Sequence, residues 1–237
     1  MLDPTGRVVM VSGASRGIGR AVVDALHAKG YCVSAGARRP EDLEAAFANL
    51  AGDRFLAARY EAADRDSHAD WLKATLDRFG RLDGLVNNAG TSNTFSIEAG
   101  DEADLDALWS INIKGPLFLT RICLPHLKAA GSGRIVNVSS LSGKRVRNDN
   151  VAYAMTKHAL IALTHATRRI GWESGVRATS VCPSFVATDL TADVTKVARE
   201  EMIDPADLAE LVATAIALPN TATMAEMLVN CRLEDLF

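Results

Sequence analysis

The stretch Arg7-Val8-Val9-Met10-Val11-Ser12-Gly13-Ala14-Ser15-Arg16-Gly17-Ile18-Gly19 runs from β-branched and apolar residues, through a glycine-rich turn, into a segment with helical spacing. A short apolar run feeding directly into an amphipathic helix is the opening of a strand–helix–strand unit. Glycines let such a turn adopt dihedrals closed to other residues and let a ligand approach the backbone. The helix beyond it starts with unpaired N–H groups that favour a phosphate.

Outward from this turn the same alternation continues. Strands are expected at 7–11, 31–37, 55–60, 82–87, 134–138, 176–182 and 226–230, and helices at 17–29, 41–50, 67–79, 101–129 and 152–173. A last helix follows Asp204-Pro205, where Asp suits the N-cap and Pro the first turn. The helix over 101–129 carries Pro116 and Pro125. Strand–helix alternation throughout implies parallel strands covered on both faces. The fold class is therefore α/β, a single doubly wound domain over residues 1–237 with about seven parallel strands, and its ligands bind beyond the carboxyl ends of those strands. Residues 184–203 are too mixed for an element and are read as a mobile lid over a substrate.

Composition excludes several classes of function. With 48% hydrophobic and 23% charged residues and a formal net charge of −3, the chain has the balance of a globular protein. It lacks the basic footprint of a nucleic-acid or anionic-membrane binder. Cys32, Cys123, Cys182 and Cys231 form no CxxC pair, which points to thiols in a reducing, cytoplasmic setting. The first residues do not read as a signal peptide, and no apolar run approaches the roughly 20 residues that span a bilayer. The histidines His27, His68, His126, His158 and His165 lack metal-ligand spacing, so no metal is expected.

Tyr153-Ala154-Met155-Thr156-Lys157 places a phenol and an ammonium on one helix face. A phenol ionises near pH 10, and one that exchanges protons at neutral pH needs its anion stabilised by about 4 kcal/mol for a shift of about 3 units; a fixed cation acts in that direction. Thirteen residues upstream (153 − 140) lies Ser140, at the end of the fifth strand beside Ser139. Asn87-Asn88-Ala89-Gly90 follows the fourth strand, and Asn112 sits in Ser110-Ile111-Asn112-Ile113-Lys114-Gly115.

Taken together, these motifs resemble the short-chain dehydrogenase/reductase family over roughly residues 7–190. The turn's Gly-xxx-Gly-x-Gly spacing departs from the Gly-x-Gly-x-x-Gly fingerprint but is the spacing that family uses. The resemblance implies a Rossmann-type fold, an oxidoreductase acting on a carbonyl/alcohol pair, and a nicotinamide dinucleotide held by Gly13, Ser15, Arg16, Gly17, Ile18, Gly19, Asn88, Ala89 and Gly90. It implies Asn112, Ser140, Tyr153 and Lys157 as a catalytic tetrad: Tyr153 exchanges the proton, Ser140 binds the substrate oxygen, Lys157 lowers the tyrosine pKa and holds the ribose, and the Asn112 backbone holds a relay water. Ser139 is the fallback for Ser140. Ser12 stands where the family usually has a threonine tying the turn to the Asn-Asn-Ala-Gly element. Glu61, with Ala62, stands near the adenine where an aspartate is usual, and Asp64 is its alternative. Pro183, Val186 and Thr188 correspond to the nicotinamide-contacting segment, in which Ser184 replaces a glycine.

The cofactor expected is NADP(H). The second strand ends in Gly36-Ala37-Arg38-Arg39, with no carboxylate to repel a 2′-phosphate and with Arg38 and Arg39, together with Arg16, to receive it. The resemblance also implies a homodimer or homotetramer. The ending Met227-Leu228-Val229-Asn230-Cys231-Arg232 lacks the Asp-Gly-Gly tail of fatty-acid-type reductases and looks more like the subgroup acting on short 3-hydroxy acids and assorted carbonyls. Two other readings are an NADP-linked dehydrogenase oxidising a 3-hydroxy acid, sugar or sterol, and a non-catalytic dinucleotide sensor. The substrate pocket is expected between 91–99 and 184–203, neither of which shows a charge pattern naming a ligand.

Overall fold

The computed structural model describes residues 1–50 and 52–234. Seven strands form one parallel sheet: β1 Val8–Ser12, β2 Cys32–Ala37, β3 Phe55–Arg59, β4 Gly84–Asn87, β5 Arg134–Val138, β6 Arg177–Pro183 and β7 Glu226–Val229. Their order is β3-β2-β1-β4-β5-β6-β7, with every pairing parallel. The order reverses between β1 and β4, which opens a crevice at the carboxyl ends of those two strands.

The central strands are covered on both faces; β1, β4, β5 and β6 are buried along their whole length. On one face α1 Gly17–Ala28, α2 Pro40–Ala46 and α7 Pro205–Ala217 enclose a core that includes Val22, Leu26, Leu43, Leu208 and Val212. On the other, α3 Arg65–Phe79 and α5 Gly115–Ala129 close over Trp71, Leu72, Leu119 and Leu127. Helix α6, Val151–Gly171, lies beside α5 on that second face. Among the described residues no helix is long and apolar enough to cross a membrane.

The long helix expected over 101–129 is interrupted. It consists of α4 Glu102–Trp109, a wide π turn Ser110–Lys114, and α5. The Gly115 N–H reaches back to the Ser110 carbonyl, one residue farther than an α-helical bond. Pro116 supplies the physical reason on the next turn: it has no N–H, so the Asn112 carbonyl has no donor four residues on. The helix expected over 41–50 ends at Ala46 and is followed by a 3₁₀ turn at Ala48–Leu50.

Candidate active site

Ser12, at the carboxyl end of β1, joins the two halves of the sheet. Its hydroxyl donates to the Val86 carbonyl at 3.3 Å and accepts from the N–H groups of Asn88 and Ala89 at 3.0 and 3.1 Å. The Asn88 side chain returns two bonds of 3.0 Å to the carbonyls of Ser12 and Gly13. Gly13 has φ +65°, and a Cβ there would lie 2.8 Å from the Ala89 Cα. A Cβ on Gly19 would collide with the Gly13 carbonyl and the Asn88 amide. The turn is therefore packed backbone to backbone against the Asn-Asn-Ala-Gly element. Asn87 extends the junction inward, donating to Thr120 and to Asn137, which donates in turn to Thr164 on α6.

Above this junction lies a cavity of about 640 Å³. The N-terminus of α1 faces it without a side-chain cap and with no acidic residue in the first turn, although α3 and α7 are both capped by aspartates. Exposed positive ends of this kind accept a pyrophosphate. Gly13, Ser15, Arg16, Gly17 and Ile18 line one wall, and Asn88, Ala89 and Gly90 line the next. Ala37 and Arg38 border it at the end of β2, with Glu61 and Ala62 after β3. Ser140, Tyr153, Lys157, Pro183, Val186 and Thr188 complete the set of expected residues that meet there.

Three expected residues lie off the cavity. Gly19 is buried beneath the turn as packing space. Arg39 pairs with Asp42 at 2.8 Å at the start of α2. Asn112 is 2% exposed; its amide accepts from the Thr91 N–H and donates to the Thr91 carbonyl, both at 2.9 Å, and also donates to Thr156 at 3.2 Å. Its side chain thus clamps the chain beyond β4 to α6 and acts as a positioning group, while its backbone occupies the wide turn. Arg16 lines the mouth, but its guanidinium pairs with Asp189 at 3.0 Å rather than standing open for a phosphate. Arg38 is exposed and has no ion pair among the described residues. Of the two carboxylates after β3, Glu61 borders the cavity, bonded to Arg59 at 2.9 Å, whereas Asp64 caps α3 and pairs with the same arginine.

Helix α6 delivers the phenol and the ammonium. Asn150 caps it by accepting from the Tyr153 N–H at 3.2 Å and reaches across to Ser92 at 3.1 Å. The Ser140 hydroxyl, which accepts from the Ser142 N–H at 3.0 Å, lines the cavity beside the Tyr153 phenol and favours its ionisation, whereas the Ser139 hydroxyl is taken by the Lys157 carbonyl at 3.0 Å. Of the two serines, Ser140 is the one at the phenol.

The electrostatics differ from expectation. Burial pushes the Tyr153 phenol up to about 12, only partly opposed by Ser140. Lys157 does not offset this, because its ammonium donates to the Val138 carbonyl at 3.0 Å and lies 5.4 Å from the tyrosine ring centre rather than on its oxygen. Burial also pushes Lys157 down to about 8.

The substrate end of the cavity also differs. Of 91–99 only Thr91 and Ser92 line it. The missing wall comes from the loop 141–150 and from the tail at Arg232 and Glu234. The 184–203 segment is pinned at its base by the Ala187–Ile203 and Ile203–Phe185 backbone bonds, both 2.9 Å, and contributes Lys196. Ser184, in place of a glycine, accepts from the Cys231 N–H at 2.9 Å and so fastens the tail to β6. The basic run Lys144-Arg145-Val146-Arg147 was the visible signal for this wall.

Comparison with known proteins agrees with this geometry. A family model described as short chain dehydrogenase matches residues 7–199. The chain is 45% identical over 230 residues to an agropine synthesis reductase of Rhizobium rhizogenes, covering 97% of this chain and 53% of the relative, so it spans about half the length of that protein. An uncharacterized oxidoreductase of Staphylococcus aureus (strain MW2) is 29% identical over 226 residues, covering 95% of this chain and 97% of its own. Among solved structures, levodione reductase superposes with a TM-score of 0.87 at 27% identity, over 95% of this chain and 96% of that one. An alcohol dehydrogenase from the archaeon Thermococcus sibiricus, complexed with 5-hydroxy-NADP, gives 0.87 at 26% identity over 96% and 99%. With its glycine turn, its Asn-Asn-Ala-Gly junction and its serine–tyrosine–lysine cluster around one crevice, the chain belongs to the short-chain dehydrogenase family.

Proposed function

We propose that the protein is an NADP(H)-dependent carbonyl reductase. One observation carries this reading: the Tyr153 phenol, with Ser140 beside it, lines the same cavity as the uncapped α1 N-terminus. The cradle suits a dinucleotide, because the first turn of α1 stands without a side-chain cap at the cavity wall, where its N–H groups can receive a pyrophosphate. When bound, the nicotinamide supplies a hydride to the carbonyl carbon.

This chain's residues do the remaining work. Ser140 donates to the substrate oxygen and holds it beside the phenol as negative charge grows. Tyr153 gives that oxygen its proton, and a phenol pushed up to about 12 is fully loaded with one at neutral pH. Lys157, anchored on Val138, holds the ribose hydroxyls and places positive charge behind the tyrosine ring. Asn112 fixes Thr91 and Thr156, and so the spacing between the β4 turn and α6. The exposed Arg38, beside an uncharged Ala37, receives the 2′-phosphate. The names of the relatives, agropine synthesis reductase and levodione reductase, agree with the reducing direction.

The test is Tyr153→Phe. NADPH binding, followed by its fluorescence, stays within about threefold while carbonyl reduction falls by about three orders of magnitude or more, as expected for loss of the proton donor with its hydrogen-bonded neighbours intact. Reduction at the wild-type rate in that variant overturns the assignment.

A further inference from the structure

The cavity runs from Ser140, after β5, to the loop that follows β3, where Tyr60, Glu61, Ala62 and Ala63 line it. β3 is the outer strand of the sheet on that side, so this loop has a neighbouring strand on one flank only and takes its shape from the helix behind it. The first turns of α3 hold the loop backbone group by group. The Ser67 hydroxyl accepts from the Glu61 N–H at 3.0 Å and donates to the Asp64 carbonyl at 2.7 Å, and Arg65 donates to the Ala62 carbonyl at 2.7 Å. The Glu61 carbonyl lies 3.0 Å from His68 Nε2 and 3.1 Å from the Ser67 hydroxyl. A hydroxyl has one hydrogen, and the shorter bond to Asp64 takes it, so the Glu61 carbonyl depends on His68.

His68 is 1% exposed. A carbonyl only accepts, so Nε2 carries the hydrogen and Nδ1 a lone pair, and Nδ1 is buried with no partner among the described residues. Burial, with the Arg65 charge nearby, lowers the imidazole pKa against the pull of the Glu61 and Ala62 carbonyls, which keeps the ring neutral at pH 7. Its angle is fixed by stacking on Tyr60, with ring centres 4.9 Å apart. Tyr60 tilts against Trp71 at 5.0 Å, and Trp71 donates to Ser34 on β2 at 2.9 Å. On the opposite flank Ala62 has no slack, since a Cβ on Gly115 would lie 2.9 Å from its own. A buried nitrogen left unpaired costs stability, so an apolar side chain would be the easier occupant here; the bond from Nε2 is what the histidine adds.

We propose that His68 is a positioning residue for cofactor binding: by holding the Glu61 carbonyl it sets the Glu61–Ala62 backbone against which the adenosine half of the dinucleotide lies. The pyrophosphate at the α1 N-terminus and the nicotinamide beside Tyr153 leave that half to the ends of β2 and β3, so the inference rests on the dinucleotide reading of the cavity. It deepens that reading by assigning His68 an effect on one half of the cofactor and none on the chemistry.

ADP-ribose carries the adenosine half and the pyrophosphate without the nicotinamide, and it is titrated calorimetrically into the full chain. In His68→Leu its Kd and that of NADPH rise by the same factor, about fivefold to tenfold, the size of one lost hydrogen bond. At saturating NADPH the kcat for diacetyl reduction stays within about twofold. His68→Gln, whose amide reaches the same carbonyl, returns both Kd values to within about twofold of wild type. An ADP-ribose affinity unchanged in His68→Leu, a glutamine no better than leucine, or a kcat that falls with the affinity overturns the proposal. The wild type provides a test that no substitution can spoil. Heteronuclear NMR of its histidine rings shows His68 protonated at Nε2 and bare at Nδ1, with signals that move on adding ADP-ribose and not on adding nicotinamide mononucleotide. An Nδ1–H tautomer, or a ring insensitive to ADP-ribose, refutes the assignment. The binding arms need no turnover, so they stand whether or not diacetyl is reduced. Failure of the dinucleotide reading looks different: the wild type then binds neither ADP-ribose nor NADPH, and both readings fall together.

Discussion

Replacing Lys157 with methionine makes the protein more stable and inactive. The lysine is 6% exposed, and burial lowers its pKa from 10.5 to about 8. The folded chain therefore binds this proton less tightly than the unfolded chain, so at pH 7 the charged form costs the fold about 3 kcal/mol, at about 1.4 kcal/mol per unit. Methionine has a similar length and no charge; it removes that cost but also the bond to the Val138 carbonyl, worth about 1 kcal/mol. The net gain is about 2 kcal/mol, or roughly 4–8 °C in Tm for a chain of this size. The cost is complete below about pH 8 and fades as pH rises toward 10.5, so the gap between variant and wild type narrows over that window and nearly closes by about pH 9.5. Thermal unfolding of the cofactor-free protein between pH 7 and 9.5 measures it. A methionine variant less stable than wild type at pH 7, or a gap that does not change with pH, refutes the reasoning. Such a gain in stability with loss of activity is expected where a buried charge is kept for chemistry.

Other substitutions test the remaining parts of the site. Arg38→Asp raises the KM for NADPH by about tenfold to a hundredfold and leaves that for NADH within a few-fold, since it puts a carboxylate where the 2′-phosphate is proposed to sit; steady-state kinetics with both cofactors decides. Ser12→Ala strips the acceptor from the Asn88 and Ala89 N–H groups and costs about 1–3 kcal/mol in urea unfolding, while Ser12→Thr restores it. Asn112→Leu releases Thr91 and Thr156 and lowers kcat about tenfold or more with a smaller change in the Kd for NADPH; equal losses in both would instead mark a general loss of folding.

Elements whose signal is local were legible in the sequence. The apolar runs at Val8–Ser12 and Arg134–Val138 and the helical spacing of Val151–Gly171 lie where periodicity placed them, because burial on both faces writes itself into consecutive residues. The wide turn at Ser110–Lys114 was hidden, since one extra residue in a helical turn leaves the apolar spacing nearly intact; Pro116 was the available clue. The wall formed by the 141–150 loop and the tail was visible only as the basic run Lys144-Arg145-Val146-Arg147, and its assembly was not. It depends on Glu234 returning to Arg145, 89 residues away in the chain, and on Ser184 holding the tail in place. The bond from the Lys157 ammonium to the Val138 carbonyl was also beyond reach, because helical spacing gives the face a side chain shares and not the carbonyl its end finds.

Ser12 and Asn88 join segments 76 positions apart, and the groove they underlie takes one bank from β1 to β3 and the other from β4 onward. A dinucleotide laid along it would act as a clasp between two portions of polypeptide that neither could hold alone. Saturation at about a hundred times Kd adds about 2.7 kcal/mol against their separation. Cellular cofactor abundance would then govern how long each molecule survives proteolysis as well as how fast it turns over.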